Sequence, residues 1–138
     1  MSLLTTLARA FTTAAPRRAR LRALRAEDTI YALSSGRGVA GVAVVRVSGP
    51  LATPALERLT GKKPPEVRKA SLRSLRAPAT GELLDEALVL RFEAPKSFTG
   101  EDVVELHCHG GRATVDGVLE ALDGVEGLRA AERGEFTR

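Results

Sequence analysis

Between residues 101 and 122 the hydrophobic pattern changes its period, and that change dictates what the chain around it must become. In EDVVELHCH, Val104, Leu106 and Cys108 alternate with Val103, Glu105, His107 and His109, the two-residue period of a strand. Gly110 and Gly111 interrupt the run. In RATVDGVLEALDG beyond them, Val115, Val118, Leu119 and Leu122 recur at helical spacing despite the interior Gly117. A strand, a turn and a helix in immediate succession require a layered domain, in which a sheet buries one face beneath helices.

The segments before and after read in the same terms. TIYALS over residues 29–34 is a short β-prone run, and the glycines of SSGRGVAG let the chain turn after it. In VAVVRV over residues 42–47, Ala43, Val45 and Val47 face one way, leaving Arg46 among apolar neighbours on the other. Ser48-Gly49-Pro50 ends that strand. Leu51, Ala55, Leu56 and Leu59 then predict a helix that stops at Gly61. Residues 62–76 carry six cations against Glu66 alone and read as a loop entering an edge strand, with Leu72 and Leu75 as inner anchors. LLDEALVLRF over residues 83–92 predicts a further strand with Ala87, Val89 and the adjacent leucines as its core, joined to the edge strand through the turn PATGE. GLRAAERGEF adds a last short strand. The fold class expected is α+β, a small mixed sheet of about five strands with two main helices.

Charge divides the chain. The 138 residues carry a formal +4, but Arg9, Arg17, Arg18, Arg20, Arg22 and Arg25 put +6 on residues 1–26, which hold no acid, so residues 27–138 net −2. Residues 1–26 are rich in Arg, Ser and Thr, with Leu3, Leu7, Phe11 and Ala14 on one helical stripe, the profile of a mitochondrial transit peptide. A basic arm that binds nucleic acid or lipid is the alternative. No apolar stretch approaches the roughly 20 residues of a membrane-spanning helix, so no membrane role is expected. The cations of residues 62–76 fit a nucleic-acid contact, but edge strands carry Lys and Arg simply to discourage pairing with other chains, and that is the default reading. The single Cys108 excludes an internal disulfide and reads as a packed thiol rather than a nucleophile.

Three chemistries fit the row Glu105, His107 and His109. His-x-His with a carboxylate supplies three ligands to a metal, but no fourth ligand is evident in the spacing, and no metal is assigned. Both histidines can instead hydrogen-bond backbone around the Gly110-Gly111 turn. Thirdly, Glu105 can accept two adjacent N–H donors of a ligand, as a pterin presents them, because a carboxylate fits such a pair bidentately.

GRGVAGVAVVRVSGP from Gly36, PKSFTGEDVVELHCHGG from Pro95 and GLRAAERGEFTR from Gly127 together resemble, in order, the N-terminal domain of the MnmE (TrmE) tRNA-modification GTPases. The resemblance covers about residues 28–138. It implies a domain similar to the folate-binding domain of glycine-cleavage aminomethyltransferases, which binds a tetrahydrofolate in its 5-formyl or 5,10-methylene form and pairs with a second copy as a homodimer. The family's folate-binding arginine and glutamate match Arg46 and Glu105. The resemblance further implies a mitochondrial matrix protein that works on tRNA with a flavin-dependent MnmG-type partner, adding a taurinomethyl-type substituent at C5 of the wobble uridine.

The family's GTP, magnesium and potassium chemistry has no counterpart here, because the sequence lacks the GxxxxGK[ST] loop whose backbone, lysine and hydroxyl hold phosphates. The chain is therefore expected to be residues 1–26 as leader and residues 27–138 as a non-catalytic folate-binding and dimerisation module, truncated before the GTPase domain. Its site would lack the lysine that relatives place just after GEFTR. The rival reading is an interaction protein that dimerises with the full-length GTPase without holding ligand. An independent aminomethyltransferase-like enzyme is disfavoured, since residues 27–138 leave little room for a second substrate pocket.

Overall fold

A computed structural model describes residues 28–34 and 41–137. The expected leader of residues 1–26 and the glycine-rich turn within residues 35–40 lie outside the described residues. The elements follow the periods of the sequence: β1 (Thr29–Leu33), β2 (Val42–Ser48), α1 (Ala52–Thr60), β3 (Ser71–Arg76), β4 (Leu83–Phe92), β5 (Val103–His109), α2 (Arg112–Asp123) and β6 (Leu128–Ala130), then a 3-10 turn at Glu135–Thr137. One six-stranded sheet has the order β3-β4-β5-β2-β1-β6. Its neighbours are antiparallel except for the β1/β6 pair, which is parallel. The fold is thus α+β with a mixed sheet, and the short strand read from GLRAAERGEF supplies the sixth member at one edge.

Both helices pack on the same face. Val45, Val47, Val89, Val104, Leu106 and Cys108 from the sheet join Ala55, Leu56 and Leu59 of α1 and Val118 and Leu122 of α2 in one buried cluster. Each fully buried Val or Leu in such a cluster contributes about 1.5–3 kcal/mol. Tyr31 closes the far side: its hydroxyl donates to Asp123 at 2.7 Å, and burial, with that bond, raises its pKa far above the ordinary tyrosine value. Among the described residues no helix covers the other face of the sheet. The loop of residues 93–102 roofs one end of it, with the Ser48 and Thr99 hydroxyls bonded at 2.7 Å, and Val103 is buried there.

Three anchors differ from expectation. Leu72 is 64% exposed whereas Leu75 is fully buried, because residues three apart on a strand point to opposite faces. By the same rule Leu88 lies on the bare face at 48% exposure, between the buried Ala87 and Val89. Leu51 stands outside α1 at its N-cap, its N–H donating to Thr29 Oγ1 at 2.8 Å, and Ala52 takes its place in the buried stripe. The helix does stop at Gly61, whose φ of 67° suits a residue without Cβ. Gly49 is a second such position: at φ 138°, a Cβ there would lie 2.6 Å from Thr29 Cα. The Ser-Gly-Pro break thus lets β1 and the entry to α1 pass within contact of each other.

Candidate ligand-binding site

The antiparallel register of β2 and β5 sets Arg46 directly opposite Glu105. Both residues fall on the half of the alternation that points away from the helices, so the two least expected polar side chains of the apolar strands meet on the bare face. Arg46 donates to Glu105 Oε2 from Nη2 at 2.9 Å and from Nε at 3.2 Å. Their side chains are 22% and 17% exposed, enough shelter to strengthen the pair and enough access for a ligand. His107 continues the row, its Nε2 lying 3.1 Å from Glu105 Oε1. Above the pair, Phe98 of the roofing loop places its ring centroid 5.1 Å from the Arg46 guanidinium carbon, within cation–π range. Leu90 lies across from Glu105 on the β4 side.

Burial alone pushes the Glu105 pKa up, but hydrogen bonds from Arg46 and His107, together with their charges, outweigh it and hold the carboxyl below the usual glutamate range. An ionised carboxylate offers about four lone-pair sites, of which Arg46 and His107 occupy three. Arg46 has five N–H groups and spends two on Glu105. The pair therefore fits a flat molecule that presents N–H donors to the carboxylate and a carbonyl or anionic group to the guanidinium, with its ring against Phe98 and Leu90. For two N–H groups to bind bidentately, the ligand must displace one of the existing bonds to Glu105.

The histidines are placed differently from the backbone-bonded reading. His107 is tied to Glu105, whereas His109 turns to Asp85: its N–H donates to Oδ2 at 2.8 Å and its Nδ1 lies 2.7 Å from Oδ1. Asp85 comes from β4, which the spacing within one strand does not reveal. The row thus divides into two carboxylate–imidazole pairs. Among the described residues, no group of three or more His, Cys, Asp and Glu side chains is arranged to hold a metal ion. Cys108 is buried on the helix side, and burial, with nearby Asp85 adding to it, pushes its thiol up to about 12. It packs, as its place in an apolar alternation indicated.

Phe98 and the Ser48–Thr99 bond were not singled out by the sequence reading. PKSFTG was visible as a motif, but only the folded loop sets Phe98 over Arg46. A hollow of about 620 Å3 between the 77–83 turn and α2 contains neither Arg46 nor Glu105. The candidate site is therefore a sheltered patch of an uncovered sheet.

Among the described residues, a half-covered mixed sheet with a roofed, ion-paired patch on its bare face defines a small α+β domain. The family profile described as GTP-binding protein TrmE N-terminus matches residues 29–138. The mitochondrial 5-taurinomethyluridine tRNA synthase subunit GTPB3 of Danio rerio is 60% identical over 112 residues, covering 81% of this chain and 22% of that protein. Its Homo sapiens counterpart is 60% identical over 111 residues, covering 80% and 23%. The tRNA modification GTPase MnmE of Zymomonas mobilis is 56% identical over 110 residues, covering 80% and 25%. The chain belongs to the MnmE/TrmE family, whose N-terminal domain it contains in the mitochondrial form. It spans about a quarter of the length of these relatives.

Proposed function

We propose that this chain is a module that holds a tetrahydrofolate, in its 5-formyl or 5,10-methylene form, at Arg46 and Glu105 during modification of the wobble uridine of mitochondrial tRNA. When bound, the folate supplies the one-carbon unit. Glu105, kept ionised, accepts N–H donors of the pterin, Arg46 faces its carbonyl side, and Phe98 flanks the ring. The observation that carries this reading is the Arg46–Glu105 pair itself, two charged side chains in register on the uncovered face. Membership of the family supports tRNA as the object; a taurinomethyl-type product, an MnmG-type flavin partner, and GTP, magnesium and potassium acting on the parts of the longer relatives that this chain does not match complete the proposal. Residues 1–26 serve as the import leader into the matrix.

Calorimetry with 5-formyltetrahydrofolate tests the site. The wild-type chain gives a heat of binding, and Glu105→Gln weakens it by tenfold or more, since a charge-assisted hydrogen bond contributes about 1.5–3 kcal/mol. Equal binding by the variant would remove Glu105 from the site. A second reading, an interaction protein that pairs with the full-length GTPase and holds no ligand, is favoured by Val42, Leu72 and Leu88, all about half exposed or more on the bare face. It predicts self-association without any heat from folate.

A further inference from the structure

We propose that the β3 edge of the sheet is a docking strip for an RNA phosphate backbone, with one phosphate seated in the hollow between Lys62, Arg73 and Arg76. The charge of residues 27–138 is sharply segregated. Residues 62–76 hold six cations against Glu66, a net +5, whereas the other nine cations and sixteen acids of residues 27–138 net −7. A fold of negative total charge that gathers its cations at one sheet edge attracts a polyanion there and repels it elsewhere.

Those cations are positioned without being neutralised. Arg73 donates to Lys63 O at 3.3 Å and to Ser71 Oγ at 3.1 Å. Arg76 donates to Gly81 O at 3.1 Å, and Arg68 to Lys96 O at 3.1 Å. These acceptors carry no net charge, so each guanidinium is steered while keeping its full +1. The ion pair found in the stretch, Lys69 with Glu66, spans 3.9 Å between strongly exposed side chains and is worth little. The loop that presents Lys62, Lys63 and Arg68 is braced from beneath, with Arg91 Nη1 donating to Pro65 O at 2.7 Å and Arg68 N–H to Arg91 O at 2.8 Å.

Edge protection alone does not account for this. The opposite edge, β6, has a single cation, Arg129, and it is consumed by Asp28 and Glu135. One edge is thus blunted by a neutralised arginine, whereas β3 keeps its charges available. At the β3 edge, Thr60, Lys62, Leu72, Arg73, Ser74 and Arg76 line a hollow of about 270 Å3, in which two hydroxyls accompany three cations. The strip has no aromatic residue on which a base could stack. Recognition there is of the backbone, weak in sequence preference and steep in salt dependence. The choice of RNA as occupant rests on the proposed role in tRNA modification; the phosphate chemistry of the strip does not.

The lysines make the test direct, because the chain has four, Lys62, Lys63, Lys69 and Lys96, all of them beyond the expected leader. The whole chain is acylated with an N-hydroxysuccinimide ester, with and without unfractionated tRNA, and each lysine is read by mass spectrometry. At about 50 mM salt, tRNA slows acylation of Lys62 and Lys63 by about threefold or more, and the protection is lost by about 200 mM. The pair R73E and R76E removes the protection, whereas R133E in the turn after β6 leaves it, all checked by circular dichroism. Unchanged wild-type rates with saturating tRNA would overturn the strip. Protection by poly-glutamate equal to that by tRNA would overturn RNA as its occupant. Folate calorimetry on the same chain is read separately, so failure of the ligand site and failure of the strip are distinguishable.

Discussion

Arg46 and Glu105 are each costly residues for a strand, and each is tolerable because the other is there. Removing one would leave a sheltered charge without its partner, which costs more than the pair returns. The pH dependence follows from the lowered Glu105 pKa. A carboxyl whose folded pKa lies below its unfolded value stabilises the fold above the unfolded value, about 4.3 for glutamate, and this contribution fades as pH falls through the folded one. The urea midpoint of Glu105→Gln should therefore lie below that of the wild type at neutral pH, with the gap shrinking under about pH 4. A gap that is constant with pH would detach Glu105 from Arg46. Cys108, 2% exposed and with its thiol pushed up to about 12, should resist iodoacetamide in the native chain and react once denaturant is added. Rapid native labelling would contradict its burial. Both chemistries were readable as residue types; that Phe98 covers Arg46 and that Asp85 takes His109 was not, since each partner comes from a distant segment of the chain.

At the scale of elements, α2 shows how packing overrides local preference. Gly117 interrupts an otherwise good helix, and a Cβ built there would meet Leu84 Cδ2 at 3.4 Å. That neighbour is the far end of a flexible, partly buried side chain. Gly117→Ala should accordingly stabilise the chain by somewhat less than the ~1 kcal/mol difference in helix propensity, measured by urea denaturation; a loss of stability would mean that Leu84 cannot yield. Periodicity placed β2, β4, β5 and the two helices, whereas β1, β3 and β6 came from β-prone residues, an edge charge pattern and a short closing run. It misjudged Leu72 and Leu88 because a leucine's hydrophobicity says nothing about which face of a half-covered sheet it occupies. Alternation from the buried Leu75 and Val89 assigns both to the bare side.

For the described residues as a whole, the consequence is an asymmetric body: helices on one face, an ion-paired patch and exposed leucines on the other, and a basic edge. If the bare face is where two copies meet, Leu88→Asp should convert a dimer into a monomer in sedimentation while shifting unfolding by no more than about 0.5 kcal/mol, as expected of a surface change. A wild-type chain that is monomeric at all concentrations would exclude that face as a self-association surface. The sequence by itself determined the α+β class and where the strands and helices run, because side-chain period is a local property of the chain. The tertiary structure alone decided the strand order, the meeting of Arg46 with Glu105 across β2 and β5, the loop laid over them, and the gathering of cations around the β3 hollow. These depend on which distant segments hydrogen-bond in which register, and nothing in the spacing within one strand specifies its partner.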